Sequence, residues 1–251
     1  MKSKLKVLYT HISGNSYQYV WDLQERILAY NIKVKQLNTK HKCNVETVQV
    51  FITCEHNPVY TLGKSGDPKN LLLTHEQLND QHIEYHKINR GGDITYHGPG
   101  QITGYPLLDL EQFKPSAAWY IEQLERLATE TCRHFGIDTF LIPELTGVWI
   151  DPDDNPRKIC AIGVKMSRWL TIHGYAFNVN TDLNFYQKIV PCGIDDKGVT
   201  SLENELKFTL DYRKVLDIQK ELFSLLFNVI LEPINLSKLE KLVDHEPKIP
   251  D

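Results

Sequence analysis

The spacing of apolar residues along the chain separates stretches with the period of a helix from stretches with the period of a strand. Apolar side chains such as Leu23 recur at helical spacing, which predicts an amphipathic helix over about residues 17–37. The same period follows the capping residue Ser116 and stops before a glycine, which predicts a second helix over residues 116–136. A third amphipathic helix is expected over about residues 212–230.

Shorter runs rich in β-branched and aromatic residues predict the strands. They lie at residues 45–53, 83–88 and 101–110, with a three-stranded meander over residues 147–180 and a long loop over residues 55–68. These strands come in hairpin-like groups between separated helices and do not alternate with them. The pattern therefore favours an α+β fold with mixed or antiparallel sheets and packed helices over a doubly wound nucleotide-binding fold.

Composition places the chain among ordinary globular proteins. Of its 251 residues, 41% are hydrophobic and 24% are charged. No internal repeat or low-complexity linker divides it, so we predict one domain over residues 1–251, with a core at about residues 15–230 and a polar C-terminal tail at about residues 231–251. No apolar stretch reaches the roughly 18 residues of a membrane span, and no signal peptide is evident. The expected location is therefore the cytoplasm.

The cysteines and the charge balance exclude several classes of protein. The five cysteines form no C-x-x-C pair, which argues against a disulfide framework and against structural zinc. They are Cys43, Cys54, Cys132, Cys160 and Cys192. A net charge of −4 gives no reason to expect nucleic acid as a partner. One local stretch is basic and contains no acidic residue; its cations are Arg157, Lys158, Lys165 and Arg168.

A glycine-rich segment occupies residues 90–101 and reads Arg-Gly-Gly-Asp-Ile-Thr-Tyr-His-Gly-Pro-Gly-Gln. Because glycine has no Cβ, Gly91 and Gly92 can come close to another segment or line an apolar slot. A tight turn with a histidine in the core is the alternative that residue types alone leave open. The spacing matches neither of the glycine motifs that bind nucleotide phosphates, which weakens the case for ATP.

A candidate nucleophile and a candidate activator lie in two other segments. Cys192 stands between Pro191 and Gly193, where the chain has to turn and would present the sulfur on a loop. A cysteine is more often a small buried hydrophobic residue, and a nucleophilic one needs an activator. Lys158 opens the apolar strand at residues 158–163, and its ammonium could lower the thiol pKa. An ordinary solvated lysine on an edge strand is the alternative.

A third segment, residues 171–180, is a predicted strand in which Gly174 and Ala176 alternate with larger residues, so that one face can form a groove. His97 and His173 are candidate metal ligands by residue type alone. No cluster of histidine, cysteine and carboxylate at zinc spacing accompanies them in the sequence. We therefore predict no metal site and interpret both histidines as part of the core or of the groove wall.

Together these segments resemble the octanoyltransferases of lipoate biosynthesis, whose signature is R-G-G-x-x-T-[FYW]-H-x-P-G-Q followed shortly by tyrosine. Residues 90–101 and Tyr105 match this signature throughout. Further matching pieces follow the family's order at residues 55–63, 158–163, 173–178 and 191–194. The similarity covers roughly residues 15–230 and implies a fold similar to the catalytic domain of biotin and lipoate protein ligases.

The resemblance also implies roles for individual residues. Cys192 would carry the acyl group as a thioester, and Lys158 would be its electrostatic and proton-transfer partner. The residues implied to line the acyl tunnel are Arg90, Gly91, Gly92, Asp93, Ile94, Thr95, Tyr96, His97, Ala161, Ile162, Gly163, Gly174, Tyr175 and Ala176.

The activity implied by the resemblance is transfer of an octanoyl group from acyl carrier protein to a lysine of lipoyl domains. The acceptors would be the 2-oxoacid dehydrogenase complexes and the glycine cleavage H protein. Transfer from thioester to amide runs downhill, so no nucleotide or other cofactor is expected. A monomer without nucleic-acid or membrane partners is expected. Arg157, Lys165 and Arg168 would steer an acidic carrier or lipoyl domain toward the site.

Three alternatives stay open at the level of sequence. In an ATP-dependent lipoate or biotin ligase of the same fold Cys192 would be incidental, although lipoate ligases have a His-Asp-x-Gly-Asn run where this chain has His-Gly-Pro-Gly-Gln. An amidotransferase that relays acyl groups between lipoyl-bearing proteins would carry its cysteine elsewhere. A module that only binds acylated carrier proteins would have no use for both Cys192 and Lys158.

Overall fold

The computed structural model describes residues 4–151, 153–190 and 198–248. The strands are β1 (Leu5–Ser13), β2 (Val50–Glu55), β3 (Val59–Leu62), β4 (Glu84–Lys87), β5 (Ile94–His97), β6 (Gln101–Leu107), β7 (Phe140–Ile142), β8 (Leu145–Ile150), β9 (Arg157–Ser167), β10 (Leu170–Asn178), β11 (Gly198–Val199) and β12 (Val229–Pro233). The α-helices are α1 (Tyr17–His41), α2 (His75–Asp80), α3 (Ala117–His134), α4 (Leu202–Leu206), α5 (Tyr212–Leu226) and α6 (Leu236–Asp244). Short 3-10 helices lie at Pro68–Asn70, Leu110–Gln112 and Leu183–Lys188.

Most of these strands form one mixed sheet in the order β12-β1-β2-β6-β10-β9-β8-β7. The β12, β1 and β2 strands are parallel, and neighbours from β2 to β7 along this order are antiparallel. The short β11 strand runs parallel to the beginning of β9. A smaller sheet has the order β4-β3-β5. Mixed sheets with helices packed on them confirm the predicted α+β class.

The main sheet is covered on both faces. On β2, Phe51 lies in the hydrophobic cluster that α3 and α5 complete, and it stacks on Phe223 with ring centroids 4.1 Å apart. Its neighbours Val50 and Ile52 lie in the cluster that α1 and α6 complete, because successive strand residues point to opposite faces. Each such fully buried side chain stabilises the fold by roughly 1.5–3 kcal/mol relative to exposure.

The predicted helices are present with shifted ends. α1 continues past the predicted end at residue 37 to His41. α3 follows the predicted cap Ser116, whose hydroxyl accepts the backbone N–H of Trp119 at 3.2 Å. α5 ends at Leu226, before the predicted end at residue 230. The predicted meander is confirmed as β8, β9 and β10, which are neighbours in the main sheet.

Between α1 and β4 one predicted strand is shifted and one predicted loop is wrong. The strand predicted over residues 45–53 pairs only from Val50 onward, because the backbone of Val48 bonds to the side-chain amide of Asn31 on α1, with both distances 2.8 Å. The loop predicted over residues 55–68 contains β3, a buried strand of the smaller sheet. A short strand between proline and glycine residues gave no sequence pattern long enough to recognise.

The prediction of a polar tail over residues 231–251 is wrong for the residues up to 248. β12 pairs with β1, a strand that the apolar pattern did not predict, and together they extend the main sheet. α6 buries Leu239 and Val243 in the cluster beneath α1. Arg26 of α1 donates to Glu240 at 2.9 Å and to Asp244 at 3.1 Å. The polar appearance of this stretch is the exposed face of a short amphipathic helix.

Within the ranges that the structure describes, no helix combines the length and the apolar character that a bilayer span requires.

Candidate active site

A cavity of about 550 Å³ lies between β5 of the smaller sheet and strands β6, β10, β9 and β8 of the main sheet. This volume falls within the about 300–1,000 Å³ of typical small-ligand sites. Lys158 is part of the wall. The predicted tunnel residues on the wall are Arg90, Gly91, Gly92, Asp93, Ile94, Thr95, His97, Ala161, Ile162, Gly163, Gly174, Tyr175 and Ala176.

Tyr96 is the predicted tunnel residue that is not part of this wall. Because successive strand residues point to opposite sides, the side chain of Tyr96 lies across β5 from Thr95 and His97. It is buried there and stacks on Phe185 with ring centroids 4.5 Å apart. Its contribution in the structure is to the packing of the smaller sheet.

The arginine of the glycine-rich segment joins this segment to β3. The Arg90 guanidinium donates to the carbonyl of Thr61 at 2.7 Å and to its hydroxyl at 3.0 Å. Gly63 follows β3, and a Cβ placed on it would lie 2.2 Å from the carbonyl oxygen of Gly92. The N–H of Gly91 donates to the carbonyl of Val164 on β9 at 3.0 Å. Glycine therefore permits the close approach that joins both sheets at the cavity.

A buried amide fixes the proton positions on His97. The Gln101 amide nitrogen donates to the carbonyl of Tyr96 at 3.1 Å and to Asn178 Oδ1 at 2.9 Å, so its oxygen must face His97. Asn178 is oriented in turn by its own donation to the carbonyl of Thr200 at 2.9 Å. Because Gln101 Oε1 can only accept, His97 Nδ1 carries the proton and donates at 2.8 Å.

The other nitrogen of His97 is consequently an acceptor, and the Thr61 hydroxyl donates to Nε2 at 3.3 Å. Burial and, to a smaller extent, the nearby Arg90 guanidinium lower the pKa of His97 to about 3. His97 is therefore neutral at pH 7. It lines the cavity as part of a chain of oriented hydrogen bonds from Arg90 through Thr61 to Gln101.

His173 occupies a strained position on the same cavity wall. It has a φ of 64° within β10, a backbone conformation that non-glycine residues rarely adopt. Asn89 donates to Glu25 through its nitrogen at 3.0 Å, so its oxygen accepts from His173 Nε2 at 2.7 Å. Burial lowers the pKa of His173 to about 3. In the part of the chain that the structure describes, no three histidine, cysteine or carboxylate side chains converge to hold a metal ion.

Lys158 reaches the cavity through an irregularity in strand pairing. Val148 of β8 pairs with Cys160 of β9, whereas Trp149 pairs with Lys158, which leaves one extra residue on β9. The Lys158 ammonium lies 4.5 Å from the centre of the Trp149 ring, a favourable cation–π geometry. Gly147 permits this arrangement, because a Cβ there would lie 2.6 Å from the carbonyl of Cys160.

The groove predicted on β10 is present, and Gly174 has an additional reason to be glycine. A Cβ on Gly174 would lie 2.0 Å from the carbonyl oxygen of Gly104 on β6. The residue therefore permits the close approach of two central strands as well as lining the cavity. Opposite it on β9, Gly163 is packed against Arg90, since a Cβ there would lie 3.1 Å from its Cδ.

Cys192 lies outside the described residues. The chain leaves the described structure at Val190, whose N–H donates to the carbonyl of Asn70 at 2.8 Å. It returns at β11, where Gly198 pairs with Arg157 and Val199 pairs with Lys158 on the cavity wall. β11, the first described strand after Cys192 in the chain, therefore lies next to Lys158.

Three of the other cysteines are buried where a thiolate is disfavoured, and the fourth lies away from the cavity. Cys54, Cys132 and Cys160 are buried, and burial raises the pKa of each thiol. Cys43 is half-buried, 3.3 Å from the side-chain oxygen of Asn38 and away from the cavity wall. These four thiols are unsuited to nucleophilic attack at the cavity.

The basic residues proposed for docking differ in their surroundings. Arg157 donates to Asp151 at 3.1 Å and to Glu205 at 3.3 Å, so it is engaged within the protein. Lys165 lies 3.9 Å from Glu25. Arg168 belongs to the exposed turn between β9 and β10. Docking of an acidic partner by these three residues stays a prediction.

Several residues of the site were not singled out from the sequence. Trp149 and Leu145 reach the wall from β8, and Tyr17 reaches it from α1. Thr61 and Asn178 orient wall residues through hydrogen bonds. An alternation of small residues on β10 could have suggested Asn178, whereas Trp149 depends on a strand irregularity that no local pattern indicates.

Comparison with known proteins identifies the family. Residues 16–224 match the family described as lipoyl protein ligase A/B catalytic domain. The chain belongs to this family. Among curated members it is 46% identical over 232 residues to an octanoyltransferase of Cytophaga hutchinsonii, covering 90% of this chain and 94% of that protein. It is 47% identical over 191 residues to an octanoyltransferase of Christiangramia forsetii, with coverages of 76% and 82%.

These identities confirm the predicted resemblance to octanoyltransferases within the lipoyl protein ligase A/B family, and the chain is accordingly an acyltransferase. Solved structures support the fold. A bi-partite lipoate protein ligase from Thermoplasma acidophilum has a TM-score of 0.60 at 14% identity, covering 96% of this chain and 93% of that chain. Lipoate-protein ligase A bound with ATP has a TM-score of 0.59 at 14% identity, with coverages of 96% and 95%.

Proposed function

We propose that the chain transfers an octanoyl group from acyl carrier protein to a lysine of lipoyl domains, through a thioester on Cys192. The observation that carries the proposal is the cavity, because residues of the octanoyltransferase signature from β5, β9 and β10 line it together with Lys158. Curated relatives that share 41–47% identity are named octanoyltransferases. The proposed acceptors are the 2-oxoacid dehydrogenase complexes and the glycine cleavage H protein. The proposed enzyme is a cytoplasmic monomer.

In the first step, the thiolate of Cys192 attacks the thioester carbonyl of the octanoyl carrier protein. A new carbon–sulfur bond forms, the bond to the phosphopantetheine sulfur breaks, and the Lys158 ammonium gives its proton to the departing sulfur. The product is an acyl-enzyme beside a neutral lysine amine. An ammonium on the cavity wall next to β11 supports this role, because a positive neighbour also favours the thiolate over the thiol.

In the second step, the neutral amine of the acceptor lysine attacks the acyl-enzyme. An amide bond forms, Cys192 leaves as the thiolate, and Lys158 accepts the proton that the attacking nitrogen loses. Both ionisable groups return to their starting states. Exchange of one thioester for another is nearly balanced and formation of the amide runs downhill, so the cycle requires no nucleotide.

An apolar part of the cavity wall suits an acyl chain. Ile94, Ala161 and Ile162 offer apolar surface, and the neighbouring His97 is uncharged at pH 7. Each buried methylene contributes about 0.8 kcal/mol, so an eight-carbon chain gains several kcal/mol from a wall of this kind. The wall residues proposed to contact the chain are those of the glycine-rich segment, β9 and β10.

The proposal is tested by incubating the purified protein with octanoyl carrier protein in the absence of ATP and measuring its intact mass. We expect a gain of one octanoyl group, which disappears when an unmodified lipoyl domain is added and reappears on that domain. Cys192→Ala should abolish both signals, and Cys43→Ala is the matched control that should retain them. An ATP requirement would favour a ligase instead, and normal turnover by Cys192→Ala would exclude the thioester scheme.

A further inference from the structure

The beginning of β9 is held by more than ordinary strand pairing. β8 pairs with one edge of this region, and β11 takes the other edge where β10 has not yet begun to pair. The Thr200 N–H, directly after β11, donates to the carbonyl of Lys158 at 3.0 Å. The backbone of Lys158 is therefore fixed from both sides.

A charged pair on the opposite face connects the same two segments. Arg157 donates to Glu205 through Nε and Nη2, each at 3.3 Å, which is a bidentate contact. The Thr200 hydroxyl also donates to Glu205. Glu205 thereby joins the residue that precedes Lys158 in the chain to the residue that bonds its carbonyl.

This pair is more shielded than an ordinary surface ion pair. The side chains of Arg157 and Glu205 are 22% and 18% exposed, whereas those of the surface pair Arg133 and Glu130 are 70% and 31% exposed. Hydrogen bonds from Thr200 and Arg157 lower the pKa of Glu205 despite its partial burial. The carboxylate is therefore charged at neutral pH and holds a defined position.

We propose that Glu205 is a positioning residue for Lys158, acting through Arg157 and Thr200. This inference rests on the proposed function of Lys158. Arg157 and Lys158 are successive strand residues and point to opposite faces, so an anchor on Arg157 fixes the direction in which the lysine leaves the strand. The chain approaches β9 from a turn at residues 153–155, where loss of the anchor would let the strand end fray. Arg157 then contributes to the site by holding its neighbour.

The test variant is Glu205→Gln, which keeps the shape of the side chain but presents an amide nitrogen or a neutral oxygen to the guanidinium. We expect the turnover per acylated active site to fall about tenfold, with the KM for carrier protein changed less than about twofold, because misplacement of a reacting group by about 1 Å reduces rate more than binding. Counting active sites by the acyl-enzyme mass signal removes any contribution from unfolded protein. Glu205→Asp retains the charge and should recover part of the loss.

Glu130→Gln is the matched control, because it removes the exposed pair with Arg133 and leaves β9 untouched. It should retain wild-type turnover. If Glu205→Gln does not fold, Arg157→Lys provides the same test, since it keeps the charge but not the bidentate contact. Full turnover in Glu205→Gln, or a loss equal to that of Glu130→Gln, would overturn the proposal.

Hydrogen exchange separates this inference from the proposed function. The amide of Thr200 should exchange faster in Glu205→Gln than in the wild type, while the amides of the central strand β10 keep their protection. This measurement does not depend on octanoyl transfer. A wild type that forms no acyl-enzyme would contradict the proposed function alone, whereas unchanged exchange at Thr200 would contradict the anchor.

Discussion

The two walls of the cavity differ in the kind of chemical group that they hold in position. On the β5–β6 wall, which we define by His97, Thr103 and Tyr105, the groups are neutral and hydrogen-bonded to oriented neighbours. On the β8–β9 wall, which we define by Trp149 and Lys158, a cation lies over an aromatic ring at an irregular strand pair. The hydrogen bonds of the first wall fix the positions of neutral groups, whereas the second wall positions a cation. Changes in the first wall should therefore mainly affect stability, and changes in the second should mainly affect the rate of acylation.

The largest effect is expected on the β8–β9 wall. Lys158→Met removes the ammonium while keeping most of the side-chain volume, and we expect the rate constant of acyl-enzyme formation to fall about 10²- to 10⁴-fold. Single-turnover mass spectrometry with octanoyl carrier protein measures it. Lys158→Arg is the control that keeps the charge but cannot exchange a proton. Its charge can still stabilise the Cys192 thiolate and the departing sulfur, so acylation should survive better than transfer to the acceptor lysine, which requires a base. Equal rates in wild type and Lys158→Met would remove Lys158 from the mechanism.

The next effect concerns acid stability and involves three buried histidines, of which His97 belongs to the β5–β6 wall. Burial lowers the pKa of His56, His97 and His173 to about 3, from 6.5 in an exposed histidine. Between these values the unfolded chain binds protons that the folded chain does not, so stability falls as the pH drops below about 6.5. Each histidine contributes a loss of up to about 1.4 kcal/mol per pH unit.

Urea unfolding at pH 7 and pH 5 measures this loss. His97→Gln should have a smaller difference between the two pH values than the wild type, because one of the titrating groups is gone. His75→Gln, at an exposed position on α2, is the control that should leave the difference unchanged. A wild type equally stable at both pH values would show that these histidines are protonated in the folded state.

A smaller effect is expected from the amide that orients His97. In Gln101→Glu a carboxylate oxygen would face the carbonyl of Tyr96 and Asn178 Oδ1, both acceptors, so we expect a loss of about 1–3 kcal/mol in the free energy of unfolding. Nitrogen NMR of labelled histidine should also report loss of the Nδ1–H form of His97. Gln81→Glu, an exposed change, should alter stability by less than about 0.5 kcal/mol.

The contrast between the walls also explains what the sequence could and could not predict. Glycines and the histidine of the glycine-rich segment lie close together in sequence, so a local motif is enough to place Arg90, Gly91 and His97 at the site. The ring beneath Lys158 comes from another strand, through a pairing irregularity at Trp149 that leaves no local pattern. Placement of such residues depends on contacts between distant segments.

The same reason accounts for the errors in the fold. The helical period of α1 and α3 depends only on local spacing, and these helices were predicted with small shifts at their ends. β12 is a short strand whose partner, β1, lies more than two hundred residues earlier, as the pairing of Leu5 with Val229 shows. A strand that is stable only because it pairs with a distant strand shows only a weak pattern in its own residues.

The smallest effect tests the aromatic support of the β8–β9 wall. Trp149→Leu keeps an apolar residue but removes the ring face beneath the Lys158 ammonium, a contact that contributes about 0.5–2 kcal/mol. Converted to a rate, this contribution corresponds to acylation that is about two- to thirtyfold slower than in the wild type. Trp149→Phe should have a rate between those of the wild type and Trp149→Leu, because a phenyl ring retains a weaker cation–π contact. Wild-type acylation in Trp149→Leu would mean that the strand irregularity alone holds the lysine. Such a result would make the position of the charge on this wall a property of the backbone, whereas the shape of the other wall depends on hydrogen bonds between side chains.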